Sequence, residues 1–176
     1  MRHLTKGFTL LEILIVLVIA ASVMAFAFPA YKKAQNKNKY MTALGVLQDL
    51  GTSVIAFRQD LAPLNKIYPV SSGVALSFAT NPNSCDSSYT IESATTSARL
   101  SCVLIMQGYM QPIAWDAERR TVRGYQFTVC PQEGTPSSST CCGSDGAIAC
   151  MKIWNGTSSS PYYGARVYRS GNVEPI

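Results

Sequence analysis

The chain has 176 residues, a formal charge of +5 and a hydrophobic content of 47%, much of it before residue 31. This length suits one domain plus an appendage, and the charge is too small to indicate nucleic-acid binding by electrostatics alone. The single histidine, His3, lies in the first seven residues. A chain that loses them cannot build a histidine-dependent catalytic triad or a histidine-containing zinc site, so we expect no enzyme.

Residues 8–30 form an apolar segment, FTLLEILIVLVIAASVMAFAFPA, that is long enough to cross a bilayer. Its one charged residue, Glu12, would cost about 2.5–3.5 kcal/mol at mid-bilayer, which makes it a functional candidate. Three interpretations compete: a cleavable secretory signal with a site ending at Ala27, a plain membrane anchor, and a specialised signal. The first conflicts with an acid inside the hydrophobic region, and the second leaves Glu12 without a purpose.

The leader MRHLTKG, the following FTLLE and the apolar tail up to Pro29 together resemble the class III signal of type IV pilins and type II secretion pseudopilins. The resemblance covers residues 1–30 and is closest to a type IV major pilin. It implies that a prepilin peptidase and methylase cleaves after Gly7 and N-methylates the new N-terminal residue, Phe8. It also implies that Glu12 is the assembly residue, whose carboxylate pairs with the Phe8 amine of a neighbouring subunit.

After Pro29 the sequence remains compatible with a helix as far as Leu61. Apolar residues from Tyr40 to Leu61 recur at three-four spacing, which predicts an amphipathic helix that Pro63 ends. Pro29 removes a backbone donor and should kink the helix. Many pilins carry a glycine about eight residues before this proline, whereas this chain has Ala21, so unwinding near Pro29 is left open.

Two features of the sequence predict opposite membrane orientations for the apolar segment. Arg2 and Lys6 precede it, and more lysines follow it: Lys32, Lys33, Lys37 and Lys39. The positive-inside rule alone would place these lysines in the cytoplasm. The cysteine-rich second half argues for the opposite orientation because disulfides need an oxidising compartment, and the resemblance likewise implies a single pass with the N terminus inside.

The remaining sequence predicts a globular head. RGYQFTVC alternates Tyr125, Phe127 and Val129 with polar residues and predicts a strand, and AIACMKIW and YGARVYR are the next two candidates. SARLSCVLIM places apolar residues near a helical period, with a buried strand as the alternative. A short helix is favoured because SARLSCVLIMQGYMQPIAWD resembles the passage that leads into the sheet of pilins and pseudopilins. The expected fold is α+β, the type IV pilin fold, in which a long N-terminal helix packs on an antiparallel sheet of three or four strands. The segments are a cleaved leader (1–7), a transmembrane and filament-core half-helix (8–30), an amphipathic half-helix (31–61) and the head (62–176). The head divides into a loop region (62–93), a short helix (94–108) and the sheet (123–170).

The cysteines all fall in the second half, as Cys85, Cys102, Cys130, Cys141, Cys142 and Cys150. Their even number and the lack of a CxxC pair favour disulfides over a zinc site. Many connectivities are possible, and we expect Cys85–Cys102. The adjacent Cys141 and Cys142 should pair elsewhere rather than with each other.

Asp116 and Glu118 are weak candidates for calcium ligands, as in the major pseudopilins. Two loop acids among Arg119, Arg120 and Arg123 are more often solvated, so we expect no metal and no cofactor.

The resemblance implies a structural subunit that polymerises through its N-terminal helix into an extracellular type IV pilus and is held in the bacterial inner membrane before assembly. The implied partners are other copies of the chain, the prepilin peptidase, the inner-membrane assembly machinery and the lipid bilayer, but not nucleic acid. Two alternatives remain open: a type II secretion pseudopilin, and a minor pilin that binds DNA or a surface. The sequence does not distinguish motility, adhesion, DNA uptake and conduction.

Overall fold

The computed structural model describes residues 9–61, 74–75, 97–114, 116, 121–130, 141–143, 146–156 and 160–176. The elements in chain order are α1 (Leu10–Leu61), β1 (Val74–Ala75), α2 (Ser97–Met106), β2 (Tyr125–Val129), β3 (Ala147–Ile153), β4 (Gly164–Tyr168) and β5 (Val173–Pro175). The chain divides into two compact units, Met1–Asn38 and Lys39–Ile176.

Helix α1 comprises 52 residues and contains Pro29. Within the described part of the chain, it is the helix that is long and apolar enough to cross a membrane, judged by length and composition. The hydroxyl of Ser22 donates to the backbone carbonyl of Val18, so this polar side chain of the apolar segment is satisfied inside its own helix. Pro29 has no N–H to donate to the preceding turn, and the kink expected there stays a prediction.

The core of the second unit forms around one face of α1. Ala43, Leu47, Leu50, Val54 and Phe57 recur every three or four residues and are fully buried. They share one hydrophobic cluster with residues of α2 and of the sheet, including Leu100, Leu104, Phe127, Met151 and Val167. The predicted α+β architecture, with a long helix packed on an antiparallel sheet, is therefore confirmed.

The sheet is an antiparallel meander in the order β1-β2-β3-β4-β5. Strands β2, β3 and β4 lie within the three predicted strand segments, RGYQFTVC, AIACMKIW and YGARVYR. Two strands lie outside the predicted sheet region: β1, where a loop was expected, and β5, beyond residue 170. Both are two or three residues long, too short for an alternation pattern, and β5 ends in Pro175, which an edge strand tolerates.

Aromatic contacts bind the second half of α1 to the rest of the second unit. The ring centroids of Tyr40 and Tyr125 lie 6.1 Å apart, and those of Phe57 and Tyr109 lie 5.5 Å apart in an edge-to-face arrangement. The Tyr109 hydroxyl also donates to the carboxylate of Asp60 in the last turn of α1. This hydrogen bond raises the pKa of Tyr109 to about 12.

Two glycines of α1 provide a matched test of this packing. A Cβ added at Gly51 would lie 2.9 Å from Cγ1 and 3.0 Å from Cγ2 of the buried Val167, whereas a Cβ at Gly45 would have no atom within 4 Å. Alanine improves helix propensity at both sites by about 1 kcal/mol. We therefore expect Gly45→Ala to raise the free energy of unfolding by up to about 1 kcal/mol, and Gly51→Ala to lower it by about 1–2 kcal/mol because of overpacking. Urea denaturation of the full chain in detergent would check this, and equal stability of the two variants would contradict it.

Candidate functional site

The first turn of α1 is closed by a reciprocal pair of side chains. Thr9 directly precedes the helix and Glu12 is its third residue. The carboxylate Oε2 of Glu12 accepts hydrogen bonds from the backbone N–H and from the hydroxyl of Thr9, each at 2.9 Å. The Glu12 N–H in turn donates to Thr9 Oγ1 at 3.3 Å. This geometry is a capping box, which satisfies donors that every helix N terminus leaves unpaired.

The capping box gives the Glu12 carboxylate a partner within its own chain. A negative charge is also favoured near a helix N terminus, where the helix dipole is positive. Both bonds from Thr9 end on Oε2, and the side chain is exposed. Oε1 is therefore the oxygen on which a donor from another molecule can act.

Glu12 thus has a local role in the cap, in addition to the intermolecular role that the family resemblance implies. The sequence does contain the pattern of a capping box, which is a threonine followed three residues later by a glutamate at the start of an apolar run. Gly7 and Phe8 lie outside the described residues. Cleavage after Gly7, methylation of Phe8 and pairing of its amine with Glu12 thus stay predictions.

The first unit exposes a long apolar surface along α1. Its large exposed side chains are Leu10, Leu11, Ile13, Leu14, Ile15, Val16, Leu17, Val18, Ile19, Val23, Met24, Phe26, Phe28 and Tyr31. They surround the helix instead of forming one stripe, as expected of a segment that faces an apolar environment on all sides. A contiguous apolar surface of this length marks a site of membrane or protein association.

Four buried cysteines form a compact cluster next to the end of β2 and the first half of β3. The structure places Cys130 at disulfide distance from Cys142, and Cys141 at disulfide distance from Cys150. The adjacent Cys141 and Cys142 thus pair in different directions. The two bridges lie close together, with Cys142 Sγ 3.5 Å from Cys150 Sγ.

The fifth described cysteine, Cys102 in α2, is also disulfide-bonded. Its expected partner, Cys85, lies outside the described residues, so the pairing Cys85–Cys102 stays a prediction.

Two arginines tie the cysteine cluster to its surroundings. Arg58 of α1 donates from a terminal guanidinium nitrogen to the backbone carbonyl of Cys130 at 2.8 Å. Arg166 of β4 donates through Nε to the carbonyl of Cys141 at 2.6 Å. The bridged segment is therefore bound to both the helix and the sheet.

Of the two weak metal candidates, the structure describes Asp116 and not Glu118. Asp116 is exposed and forms an isolated bridge with Thr121 through two backbone hydrogen bonds of 2.7 and 3.2 Å. Glu118 lies outside the described residues. In the part of the chain that the structure describes, the one group of three potential ligands is Cys130, Cys142 and Cys150, whose sulfurs are engaged in disulfides.

Comparison with known proteins identifies the N-terminal segment. A family model described as the prokaryotic N-terminal methylation motif matches residues 2–28. No curated protein and no solved structure matches the chain. The matched residues include Gly7, Phe8 and Glu12, which confirms the resemblance found in the sequence. The motif indicates a structural subunit rather than an enzyme, implies processing by a prepilin peptidase, and fits membrane anchoring before assembly. The chain therefore carries, at its N terminus, the class III signal peptide of type IV pilins and pseudopilins.

Proposed function

We propose that the chain is the subunit of an extracellular type IV pilus, stored in the bacterial inner membrane and polymerised through α1. The observation that carries this proposal is the exposed apolar surface from Leu10 to Phe28, which begins with an exposed carboxylate. Such a surface needs lipid or other copies of itself to cover it. In a pilin, lipid surrounds this surface before assembly and other copies of the helix surround it in the filament.

The first turn of α1 sets the register in which the α1 helices of neighbouring subunits pack. Cleavage after Gly7 creates an α-amino group at Phe8, which remains positively charged over part of the physiological pH range. In a bundle of α1 helices, the amine of one subunit can donate to Oε1 of Glu12 in the next while Thr9 holds Oε2. A charge pair buried among apolar helices fixes one register, because any other register leaves an unpaired charge in an apolar environment.

The head suits the surface of a fibre. Cys130, Cys141, Cys142 and Cys150 are buried and bridged in pairs, and disulfides of this kind persist in oxidising compartments outside the cytoplasm. The bridges tie residues 141 and 142 to the middle of β3 and to the residue that follows β2.

Mass spectrometry and electron microscopy of sheared surface filaments test the proposal. We expect filaments whose most abundant protein lacks residues 1–7 and carries one methyl group on the amine of Phe8. Two outcomes would favour other functions. A processed chain that stays in the membrane and is required for protein secretion would indicate a pseudopilin, and a chain present only in traces within filaments of another protein would indicate a minor pilin.

A further inference from the structure

We propose that Lys32, Lys33 and Lys37, here named the lysine belt, bind the anionic headgroups of phospholipids where α1 leaves the bilayer. The inference rests on the membrane-stored state of the proposed function and does not require filament assembly. It assigns a ligand to a cluster of charges that the assembly mechanism leaves unused.

The first argument is the position of the belt along the helix. From Leu10 to Ala30, α1 extends about 31 Å at 1.5 Å per residue, which matches the roughly 30 Å of the hydrocarbon layer. Lys32 to Lys37 then follow at about 3–11 Å beyond the end of that segment. The headgroup region occupies about 5–7 Å on each side of the hydrocarbon, so the belt falls on the headgroups and the adjacent water.

The second argument is the arrangement of aromatic residues next to the belt. Lys32 Nζ lies 4.7 Å from the ring centroid of Phe28, one turn back along the helix. Phe28 is 60% exposed and Tyr31 is 67% exposed. Aromatic side chains concentrate at membrane interfaces, and a lysine near the end of a spanning helix extends its stem so that the ammonium group reaches the headgroups. The cation–π contact holds the Lys32 ammonium group at this boundary.

The third argument is the uniform sign of the charge. Residues 13–48 contain no aspartate or glutamate, so the turns that surround the belt carry only positive charge. A basic residue near an anionic membrane surface contributes about 1 kcal/mol, which corresponds to about fivefold in affinity for each lysine. Headgroup binding also accounts for the lysines that conflict with the positive-inside rule, because their charge is used at the surface where the helix emerges. A nucleic acid is the less suitable anion, since the belt adjoins side chains that require an apolar cover.

Native mass spectrometry of the detergent-solubilised full chain tests the proposal with equimolar phosphatidylglycerol and phosphatidylcholine as probes. We expect the chain to retain phosphatidylglycerol in preference to phosphatidylcholine. The double variant Lys32→Gln/Lys33→Gln should lose about 25-fold of this preference, at fivefold for each charge. Replacing all three lysines by arginine should preserve the preference, because the charge is kept.

The matched control removes two charges from exposed positions of the head, as Arg123→Gln/Arg169→Gln. We expect this control to keep the lipid preference of the unmodified chain. An equal loss in the control would overturn the proposal, as would equal retention of the two lipids by the unmodified chain. Displacement of phosphatidylglycerol by a stoichiometric oligonucleotide would overturn it in favour of a nucleic-acid surface.

A separate measurement distinguishes the failure of this inference from the failure of the proposed function. Flotation of the chain with vesicles of phosphatidylcholine alone reports membrane insertion without anionic headgroups. A chain that floats but shows no lipid preference contradicts the belt alone. A chain that does not float contradicts the membrane-stored state and the belt together.

Discussion

Replacement of Glu12 by glutamine should abolish filament assembly while expression, membrane insertion and the helix start are preserved. Glutamine at the third helical position still completes a capping box with Thr9, so the local structure is kept. The negative charge is lost, and the amine of a neighbouring subunit is left unpaired among apolar helices. Breaking one partner of a buried pair costs about 3–5 kcal/mol, which corresponds to at least about a hundredfold in the assembly equilibrium. The yield of sheared filaments, compared with the amount of membrane-bound subunit, measures the effect.

Two further variants separate the charge of Glu12 from its role in the cap. Thr9→Val keeps the carboxylate and removes the hydroxyl, so we expect a loss of about 1 kcal/mol in helix stability and reduced but present filaments. Glu12→Ala removes both roles and should block assembly without preventing membrane insertion. Normal filaments from Glu12→Ala would contradict the pairing. Normal filaments from Glu12→Gln alone would show that the cap is sufficient and would also contradict it.

Removal of the two bridges in the cysteine cluster should destabilise the head by about 5 kcal/mol. The bridges close loops with sequence separations of 12 and 9 residues, and each contributes about 2–3 kcal/mol on the chain-entropy model. The sum is comparable to the whole stability of a marginal domain. Denaturant titration in detergent, followed by near-ultraviolet circular dichroism, measures this change when the unmodified chain is compared with a variant that carries serine at Cys130, Cys141, Cys142 and Cys150, because the disulfide of Cys102 is then kept.

Double variants keep that experiment free of disulfide exchange. A single Cys142→Ser replacement would leave Cys130 Sγ unpaired 3.9 Å from Cys150 Sγ, close enough for attack on the second bridge. Cys130→Ser/Cys142→Ser and Cys141→Ser/Cys150→Ser each remove one complete bridge, and their effects should be similar because the loops are similar in length. A loss below about 1 kcal/mol for both doubles would contradict the stabilising role.

Local patterns predicted the helix face and the main strands because both depend on nearby residues. The spacing of Leu47, Val54 and Phe57 placed them on one face, and all three are fully buried. The alternation around Phe127 likewise identified β2. The cysteine pairing did not follow from spacing, because it depends on how residues 141–143 approach the ends of β2 and β3. Strand β1 was missed for the same reason, since its two residues pair with β2 across a long separation in sequence.

The candidate site shows a different limit of sequence interpretation. The family resemblance implies that the partner of Glu12 belongs to a neighbouring subunit, whereas the residues alone left a partner in its own helix open. The structure places the nearest donors three residues away in the same chain. A residue with one local and one intermolecular role can be assigned only in part from the family resemblance.

The capping box also bears on what processing does to the subunit. Thr9 and Glu12 both follow the cleavage site expected after Gly7, so every atom of the cap remains when the leader is removed. The hydrogen bonds of the cap all join Thr9 to Glu12. Cleavage there would therefore change the charge and leave the cap in place: the basic residues Arg2 and Lys6 would be removed, and one amine would remain one residue before Thr9. A precursor in the membrane and a processed subunit would share the same cap and differ in the charge that precedes it.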